Sequence, residues 1–283
     1  MSDANQKFKA WWLLSPTLLL YSLTFLLPVL LLVVMSFAKF ENSVTEFGFY
    51  LGNYRKVFGD GITLLIFWRT VKLSVYITVA CVVLGFPVAM VMRRAGPRGR
   101  LWLLFFIVSP LLTSIIVRNV AWVLILGRSG IINDTLREWG LIASPLPLMY
   151  NSFGVVLAVV HVYMSFMVLP IYGALQAINP STEEAAASLG ASPLRVFWFV
   201  TLPQSLPGLA AGCTLVFILS MGVYLTPVIM GGNFVVTLPM LITDVVRNQY
   251  NWPTASAMSL MLLVAIGAMV LVSSVVQKFG GRH

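Results

Sequence analysis

Six apolar runs of 20 residues or more constrain this chain of 283 residues more than any other feature. About 20 consecutive apolar residues are enough to cross the hydrocarbon core of a bilayer as an α-helix. Among all the runs there is a single charged side chain, that of Arg118. We therefore predict an all-α integral membrane protein with six transmembrane helices, at residues 13–35, 73–92, 101–126, 155–175, 206–230 and 255–276.

The composition supports this prediction and excludes other classes of protein. Hydrophobic residues make up 59% of the chain and charged residues only 10%, whereas soluble domains carry about 25% charged residues. A soluble enzyme, a disordered chain and a nucleic-acid-binding domain are therefore excluded, although the net charge is +9. Cys81 and Cys213 each lie within an apolar run, so we expect neither a disulfide nor a metal site.

The distribution of positive charge favours a cytoplasmic N-terminus. With that orientation, the cytoplasmic segments 1–12, 93–100, 178–204 and 277–283 carry nine Lys and Arg in 54 residues. The segments on the opposite side, 36–72, 127–152 and 231–254, carry eight in 87 residues. The compact cluster Arg93–Arg100 is the strongest indication under the positive-inside rule, whereas Arg69 and Lys72 oppose it. We expect both termini to be cytoplasmic.

The loops are too short to form independent domains, and the sequence contains neither a nucleotide-binding motif nor an ion-relay carboxylate within the apolar runs. The longest loop has about 37 residues, whereas a domain typically needs at least 50. No Gly-x-x-x-x-Gly-Lys-Ser/Thr phosphate loop is present, and no apolar run contains an Asp or Glu that could relay ions or complete a catalytic site with His161. We expect no catalytic residue and no cofactor in this chain, and energy supplied by another subunit.

The segment 179–203 is predicted to form a helix–turn–helix between the fourth and fifth runs. Ser181 and Glu184 have the spacing of a capping box, with Ser181 as the N-cap. Gly190 suits the left-handed position after a helix, and Pro193 suits the first position of a second helix. The segment alone is compatible with a simple capped connector between two spans.

The spacing within this segment resembles a family motif. Glu184-Ala185-Ala186, three residues, Gly190, nine residues and Val200-Thr201-Leu202-Pro203 resemble the EAA loop of binding-protein-dependent ABC importer permeases, Glu-Ala-Ala-x₃-Gly-x₉-Ile-x-Leu-Pro. Only Val200 departs from the motif. In that family the loop is a coupling helix that docks into a cleft on a cytoplasmic ATPase. The resemblance implies that the coupling residues are Glu183, Glu184, Ala185, Ala186, Gly190, Leu202 and Pro203.

The same resemblance implies a fold, partners and a location. They are the type I ABC importer permease fold, in the bacterial inner membrane, with transport by alternating access. The implied partners are a second homologous permease, two cytoplasmic ATPase subunits and an extracytoplasmic substrate-binding protein. ATP and Mg would be bound by the ATPase subunits and not by this chain.

Over nearly the whole chain the resemblance is closest to the spermidine/putrescine branch, which implies a polyamine substrate. Many members carry an acidic residue where this chain has Val223. The alternative is the same importer class with another small organic solute, such as an opine, an amino-acid derivative or an aminophosphonate. A secondary transporter or channel, and a membrane enzyme, are the alternatives of other classes. The stretches that carry the resemblance are 118–122, 130–133, 166–172, 222–232 and 251–253.

Polar side chains within or beside the apolar runs are the candidates for a substrate pathway or gate. Arg118 could instead serve a structural role at the outer boundary of the bilayer, by snorkelling or by pairing with the loop that follows it. Hydroxyl and aromatic groups on such helices could equally serve helix packing. Asp244 is predicted to pair with Arg247 on a helix surface. The candidates are Arg118, His161, Tyr163, Tyr224, Thr226 and Asp244.

Overall fold

The computed structural model describes residues 14–41 and 44–280, and most of these residues are helical. Short connections join the helices, and a small hairpin follows the first of them. The helices are α1 (Leu14–Ser36), α2 (Gly52–Gly59), α3 (Gly61–Arg94), α4 (Pro97–Leu112), α5 (Ile115–Leu126), α6 (Ile131–Glu138), α7 (Ser152–Ala177), α8 (Pro180–Ser188), α9 (Pro193–Met221), α10 (Pro227–Phe234), α11 (Leu238–Arg247) and α12 (Trp252–Gly280).

Within the described residues, six helical segments are long and apolar enough to cross a membrane, which confirms the predicted number. They are α1, α3, α5 continued into α6, α7, α9 and the first part of α12. Several extend beyond the apolar runs from which they were predicted. The helix predicted at 73–92, for example, extends from Gly61 to Arg94. Hydropathy locates the part of a helix that lies in hydrocarbon, whereas the helix itself continues through the interface into water.

A two-stranded antiparallel hairpin is an exception to the predicted all-α fold. Its strands are β1 (Lys39–Glu41) and β2 (Val44–Glu46), with Phe40 opposite Thr45. The segment between α1 and α2 therefore contains strands in addition to loop. Alternation of Lys, Phe and Glu in β1 suits a short strand, but three residues are too few for a prediction from sequence.

The described chain divides into two compact units. The first unit comprises residues up to Leu64 together with Leu241–Leu263. In it, Asn53 is buried and donates hydrogen bonds to the carbonyls of Ser36 (2.9 Å) and Ala38 (2.7 Å). These bonds satisfy carbonyl groups left open at the end of α1. Its small hydrophobic core consists of Val57, Val245, Ala255, Ala257 and Met258.

The second unit comprises Leu65–Met240 and the residues from Val264 onward, and its centre is the pair α7 and α9. Two glycines of α9 allow the backbones to approach closely. A Cβ atom on Gly208 would lie 2.4 Å from the carbonyl oxygen of Pro170, and one on Gly212 would lie 2.8 Å from the sulfur of Met167. Glycines four residues apart lie on one helix face, as in small-xxx-small packing between membrane helices.

The continuous third helix predicted at 101–126 is wrong. Helix α4 ends at Leu112 and α5 begins at Ile115, with Thr113 and Ser114 extended between them (ψ 140° and 135°). Pro110 weakens the end of α4 because it has no backbone N–H to donate. The side chain of Arg118 donates hydrogen bonds to the carbonyls of Pro110 and Thr113, at 2.6 Å for Thr113. A hydropathy window cannot detect a break that a side chain stabilises in this way.

The predicted fifth helix, 206–230, is also displaced. Helix α9 begins at Pro193 and ends at Met221, and the chain then breaks before α10 and α11, which meet at 88°. Pro227 cannot donate to the carbonyl of Val223 four residues earlier, so the helix cannot continue through this point. That carbonyl instead accepts a hydrogen bond from the hydroxyl of Thr237 (3.5 Å).

Candidate coupling site

The EAA-like segment forms the predicted helix–turn–helix, but its first helix begins differently. Asn179 is the N-cap of α8, and its side-chain oxygen accepts a hydrogen bond from the backbone N–H of Ser181 (3.1 Å). The predicted capping box of Ser181 and Glu184 is therefore wrong. Pro180 fits the first helical position, where no N–H is needed, so the helix begins earlier and Glu184 lies beyond the first turn.

The turn after α8 is the predicted left-handed glycine turn. Gly190 has φ +85° and donates its N–H to the carbonyl of Ala187 (2.9 Å). The next residue, Ala191, donates to the carbonyl of Ala186 (3.1 Å). This pair of bonds is a Schellman motif, which closes the helix end and reverses the chain. Pro193 then begins α9, as predicted, and α9 contains a π-helical turn at Phe197–Thr201.

The carboxylate of Glu183 joins three segments of the second unit. One of its oxygens accepts a hydrogen bond from Nη1 of Arg93 (2.9 Å), at the end of α3. The same oxygen accepts a hydrogen bond from the hydroxyl of Thr201 (2.6 Å), in α9. Arg93 also donates to the carbonyl of Ile178 (3.5 Å), just before α8. Helix α8, the first helix of the EAA-like segment (residues 179–203, called the coupling segment below), is therefore held to α3 and α9 by one ionic cluster.

The charge of Glu183 is stabilised where it lies. Partial burial raises the pKa of this carboxyl, but the hydrogen bonds from Arg93 and Thr201 and the charges of Arg93 and Arg94 lower it more. The resulting pKa is below the usual value for glutamate. The side chains of Arg93 and Glu183 are 20% and 26% exposed, so the pair is shielded from water better than a surface ion pair.

The remaining coupling candidates are either exposed or half-buried. Glu184, Ala185, Gly190 and Pro203 are exposed, whereas Ala186 and Leu202 are half-buried. Leu189, at the tip of the turn, is 90% exposed. The sequence analysis placed Glu183 and Glu184 in one group of coupling residues. The structure separates them, because Glu183 faces Arg93 and Thr201 whereas Glu184 is exposed.

A cavity of about 420 Å³ lies beside the ionic cluster, where α3, α8 and α9 meet. Arg93 and Glu183 contribute to its wall together with a second cation, Arg94. Sequence reasoning did not assign Arg93 or Thr201 to this site. Arg93 belonged to the basic cluster used for topology, and no spacing rule links residues 90 positions apart.

The pathway candidates within the second unit make structural contacts. Arg118 donates to the carbonyls of Pro110 and Thr113 at the end of α4, so its structural contacts are with the segment before it in the chain. The ring of His161 meets that of Trp122 edge to face at 5.6 Å, and the hydroxyl of Tyr163 donates to the carbonyl of Leu219 (3.2 Å). Each of these contacts joins neighbouring helices, as helix-packing groups do.

The other three candidates lie elsewhere. Thr226 is buried and Tyr224 is half-buried, both at the break between α9 and α10. Asp244 is exposed on α11 in the first unit, and its carboxylate accepts a hydrogen bond from the side chain of Asn248 (2.6 Å). The predicted pair with Arg247 is wrong, since among the described residues the partner of Asp244 is an amide one helical turn away.

Comparison with known proteins places this coupling segment in a family. The family of binding-protein-dependent transport system inner membrane components matches residues 81–281, which include α7, α8 and α9. The chain belongs to this family. It is therefore a multi-pass inner-membrane permease of a binding-protein-dependent importer.

Individual relatives agree with the family assignment. The spermidine/putrescine transport system permease protein PotB of Haemophilus influenzae is 31% identical over 252 residues, covering 87% of this chain and 86% of PotB. A bacterial alginate ABC transporter has the same fold, with a TM-score of 0.73 at 18% identity over 96% of this chain and 94% of that chain. The MetNI methionine ABC transporter matches with a TM-score of 0.56 at 17% identity, over 76% and 94% respectively. The fold is that of type I ABC importer permeases, as predicted.

Proposed function

We propose that this permease imports a polyamine, putrescine or spermidine, across the inner membrane by alternating access. The observation that carries the substrate is the similarity to PotB, which extends over 87% of the chain and is not confined to the coupling loop. Similarity confined to the coupling loop would support only a similar ATPase partner. Similarity across the spans also includes the helices that would form the substrate pathway.

The proposed assembly contains a second homologous permease, two cytoplasmic ATPase subunits that bind ATP and Mg, and an extracytoplasmic binding protein. This chain contributes no ATPase site. The N- and C-termini and the coupling segment would lie in the cytoplasm, where the ATPase subunits are. The basic residues that follow α3, including Arg98 and Arg100, support this orientation under the positive-inside rule.

The coupling segment would transmit motion through its two carboxylates. Glu184 and Ala185, both exposed, would contact the ATPase, with Leu189 at the tip of the turn. Glu183 points the other way and is bonded to Arg93 and Thr201. Closure of the ATPase dimer would move α8 and, through this cluster, the ends of α3 and α9. The two permeases would then rotate against each other around a shared pathway.

The substrate is tested by transport with purified components. The permease is reconstituted in proteoliposomes with its co-purifying subunits and the cognate binding protein, and uptake of labelled putrescine and spermidine is measured with ATP inside. We expect ATP-dependent uptake that stops when the binding protein is omitted. Uptake without ATP that follows an ion gradient would indicate a secondary transporter or channel and would overturn the importer assignment.

A second substrate class is supported by one specific position. Val223 is buried at the end of α9 and carries no charge, where many polyamine permeases have an acidic residue. The same importer class could therefore move an opine, an amino-acid derivative or an aminophosphonate. Mass spectrometry of the ligand retained by the purified binding protein separates the two proposals, since a polyamine and an anionic or zwitterionic solute differ in mass and charge.

A further inference from the structure

We propose that a cavity at the end of α3 opposite the coupling segment binds a phosphate-class anion, through Arg69, Lys72, Tyr76 and Ser152. The cavity has a volume of about 300 Å³, and all of its lining residues belong to the second unit. Its chemistry is distinct from that of the coupling segment and does not depend on which solute is transported.

The polar side chains form a strip on one face of α3. Arg69, Lys72 and Tyr76 are spaced at i, i+3 and i+7, so they lie above one another on the helix surface. All three are exposed, and the hydroxyl-bearing Ser152 at the start of α7 adds a fourth polar group to the rim. Leu73, Val235 and Thr237 are buried and form the floor.

Hydrogen bonds hold the walls of the cavity in place. The hydroxyl of Thr70 accepts a hydrogen bond from the backbone N–H of Leu238 (2.8 Å), which fixes the segment after α10 against α3. The backbone N–H of Tyr150 donates to the carbonyl of Met230 (2.9 Å), which fixes the start of α7 against α10. The elements that line the cavity are therefore joined to one another by hydrogen bonds.

The charge of this cavity is uncompensated. Its lining contains two cations and no Asp or Glu, and neither Arg69 nor Lys72 forms an ion pair with any described residue. Two cations one helical turn apart repel each other unless an anion lies between them. A guanidinium, an ammonium and two hydroxyl groups are the donors that phosphate oxygens accept from. A polyamine, which is itself cationic, would be repelled here.

The depth of the cavity matches a lipid headgroup. Helix α3 is continuous, and the 24 residues from Arg69 to Arg93 extend it by about 36 Å, somewhat more than the hydrocarbon thickness of a bilayer. The apolar run 73–92 starts directly after Lys72, so both cations lie at the boundary between hydrocarbon and water. Trp68, 58% exposed beside them, is typical of that boundary. The phosphodiester of a phospholipid and a free phosphate from the water phase can both reach this depth.

The two sources are separated by two probes on the full-length chain, purified with its co-purifying subunits. In the first, the complex is delipidated and titrated with phosphatidylglycerol, and native mass spectrometry counts the lipid molecules that it retains. In the second, equilibrium dialysis measures the binding of inorganic phosphate to the delipidated complex. The test variant is Arg69→Gln with Lys72→Gln. The matched control, Arg128→Gln with Arg137→Gln, removes two exposed cations outside this cavity.

We expect the wild type and the control to bind phosphatidylglycerol on the order of tenfold more tightly than the test variant, since each basic group contributes to anionic-lipid binding at a membrane surface. Loss of phosphate binding alone, with lipid retention unchanged, would assign the site to a free anion. Equal binding of both probes by wild type and test variant would overturn the proposal. Should the double variant fail to purify, Lys72→Gln and the charge-conserving Arg69→Lys replace it, with reduced and retained binding expected respectively.

Discussion

The guanidinium of Arg93 lies 2.9 Å from the carboxylate of Glu183, a residue 90 positions further along the chain. This ion pair joins the end of a membrane-spanning helix to the segment that resembles the coupling loop. We propose that Glu183 is a positioning residue, which would act on an ATPase contact through the orientation of α8. Glu184 is exposed and would contact the partner.

Replacing Glu183 with Gln is expected to uncouple transport from ATP hydrolysis without dissociating the complex. The amide keeps the size and can still accept from Thr201, but it removes the charge that holds Arg93. We expect transport per ATP hydrolysed to fall severalfold in proteoliposomes while the ATPase subunits still co-purify. Glu138→Gln, at an exposed position on α6, is the control and should behave as wild type. Unchanged coupling in Glu183→Gln would contradict the positioning role.

The same ion pair predicts a pH dependence. Because the pKa of Glu183 is lowered in the folded protein, its contribution to stability is complete above the usual glutamate pKa. That contribution is lost as pH falls through the lowered pKa, since the protonated carboxyl no longer pairs with Arg93. Thermal unfolding of wild type and Glu183→Gln should therefore differ by a constant amount from neutral pH to about pH 5. The two curves should converge in more acidic buffer, and a difference that grows on acidification would contradict this assignment.

The left-handed turn at Gly190 is expected to tolerate Asn but not Val. At φ +85° a β-branched side chain is strained, whereas Asn adopts this conformation more readily. Gly190→Val should abolish co-purification of the ATPase subunits while leaving the spans folded. Gly190→Asn should retain most of it. The ratio of ATPase subunits to permease is quantified on gels of the purified complexes. A wild-type ratio in Gly190→Val would contradict the docking assignment.

Close packing of α7 against α9 predicts that Gly208 cannot be enlarged. A Cβ there would lie 2.4 Å from the carbonyl oxygen of Pro170, a backbone atom, so Gly208→Val should destabilise the folded permease by about 1–3 kcal/mol. Gly173→Val, in α7, is the matched control, since no neighbouring atom lies within 4 Å of its Cβ position. The midpoint of thermal unfolding in detergent compares the two variants. An equal fall of the unfolding midpoint in both variants would show that the loss of stability comes from helix propensity and not from packing.

Arg118→Ala is expected to impair stability more than substrate selectivity. The guanidinium bonds the carbonyls of Pro110 and Thr113 at the break between α4 and α5, and leaving such carbonyls unpaired costs about 1 kcal/mol or more. We expect a lower unfolding temperature and lower maximal uptake with an unchanged preference between putrescine and spermidine. A changed preference at wild-type stability would instead place Arg118 in the substrate pathway.

Local patterns along the chain were sufficient for the fold class and for part of the coupling site. Runs of apolar residues predicted six spans, and the EAA spacing located a helix–turn–helix with Gly190 at its turn. Each of these depends on residues within about 20 positions of one another. The N-cap was misplaced because Ser181 and Asn179 are both good capping residues, and only the position of Pro180 in the folded chain decides between them.

Side-chain contacts that neither an apolar run nor the spacing of a motif predicts decided the remaining features. The break at Thr113–Ser114 is stabilised by a side chain, the end of α9 depends on Pro227 and on Thr237, and the separation of Glu183 from Glu184 depends on Arg93. Sequence alone determined that the chain contains six membrane-spanning helices and an EAA-like helix–turn–helix, because both depend on the side chains of neighbouring residues. Tertiary structure alone decided which carboxylate faces inward, since an ion pair between residues 90 positions apart leaves no local signature.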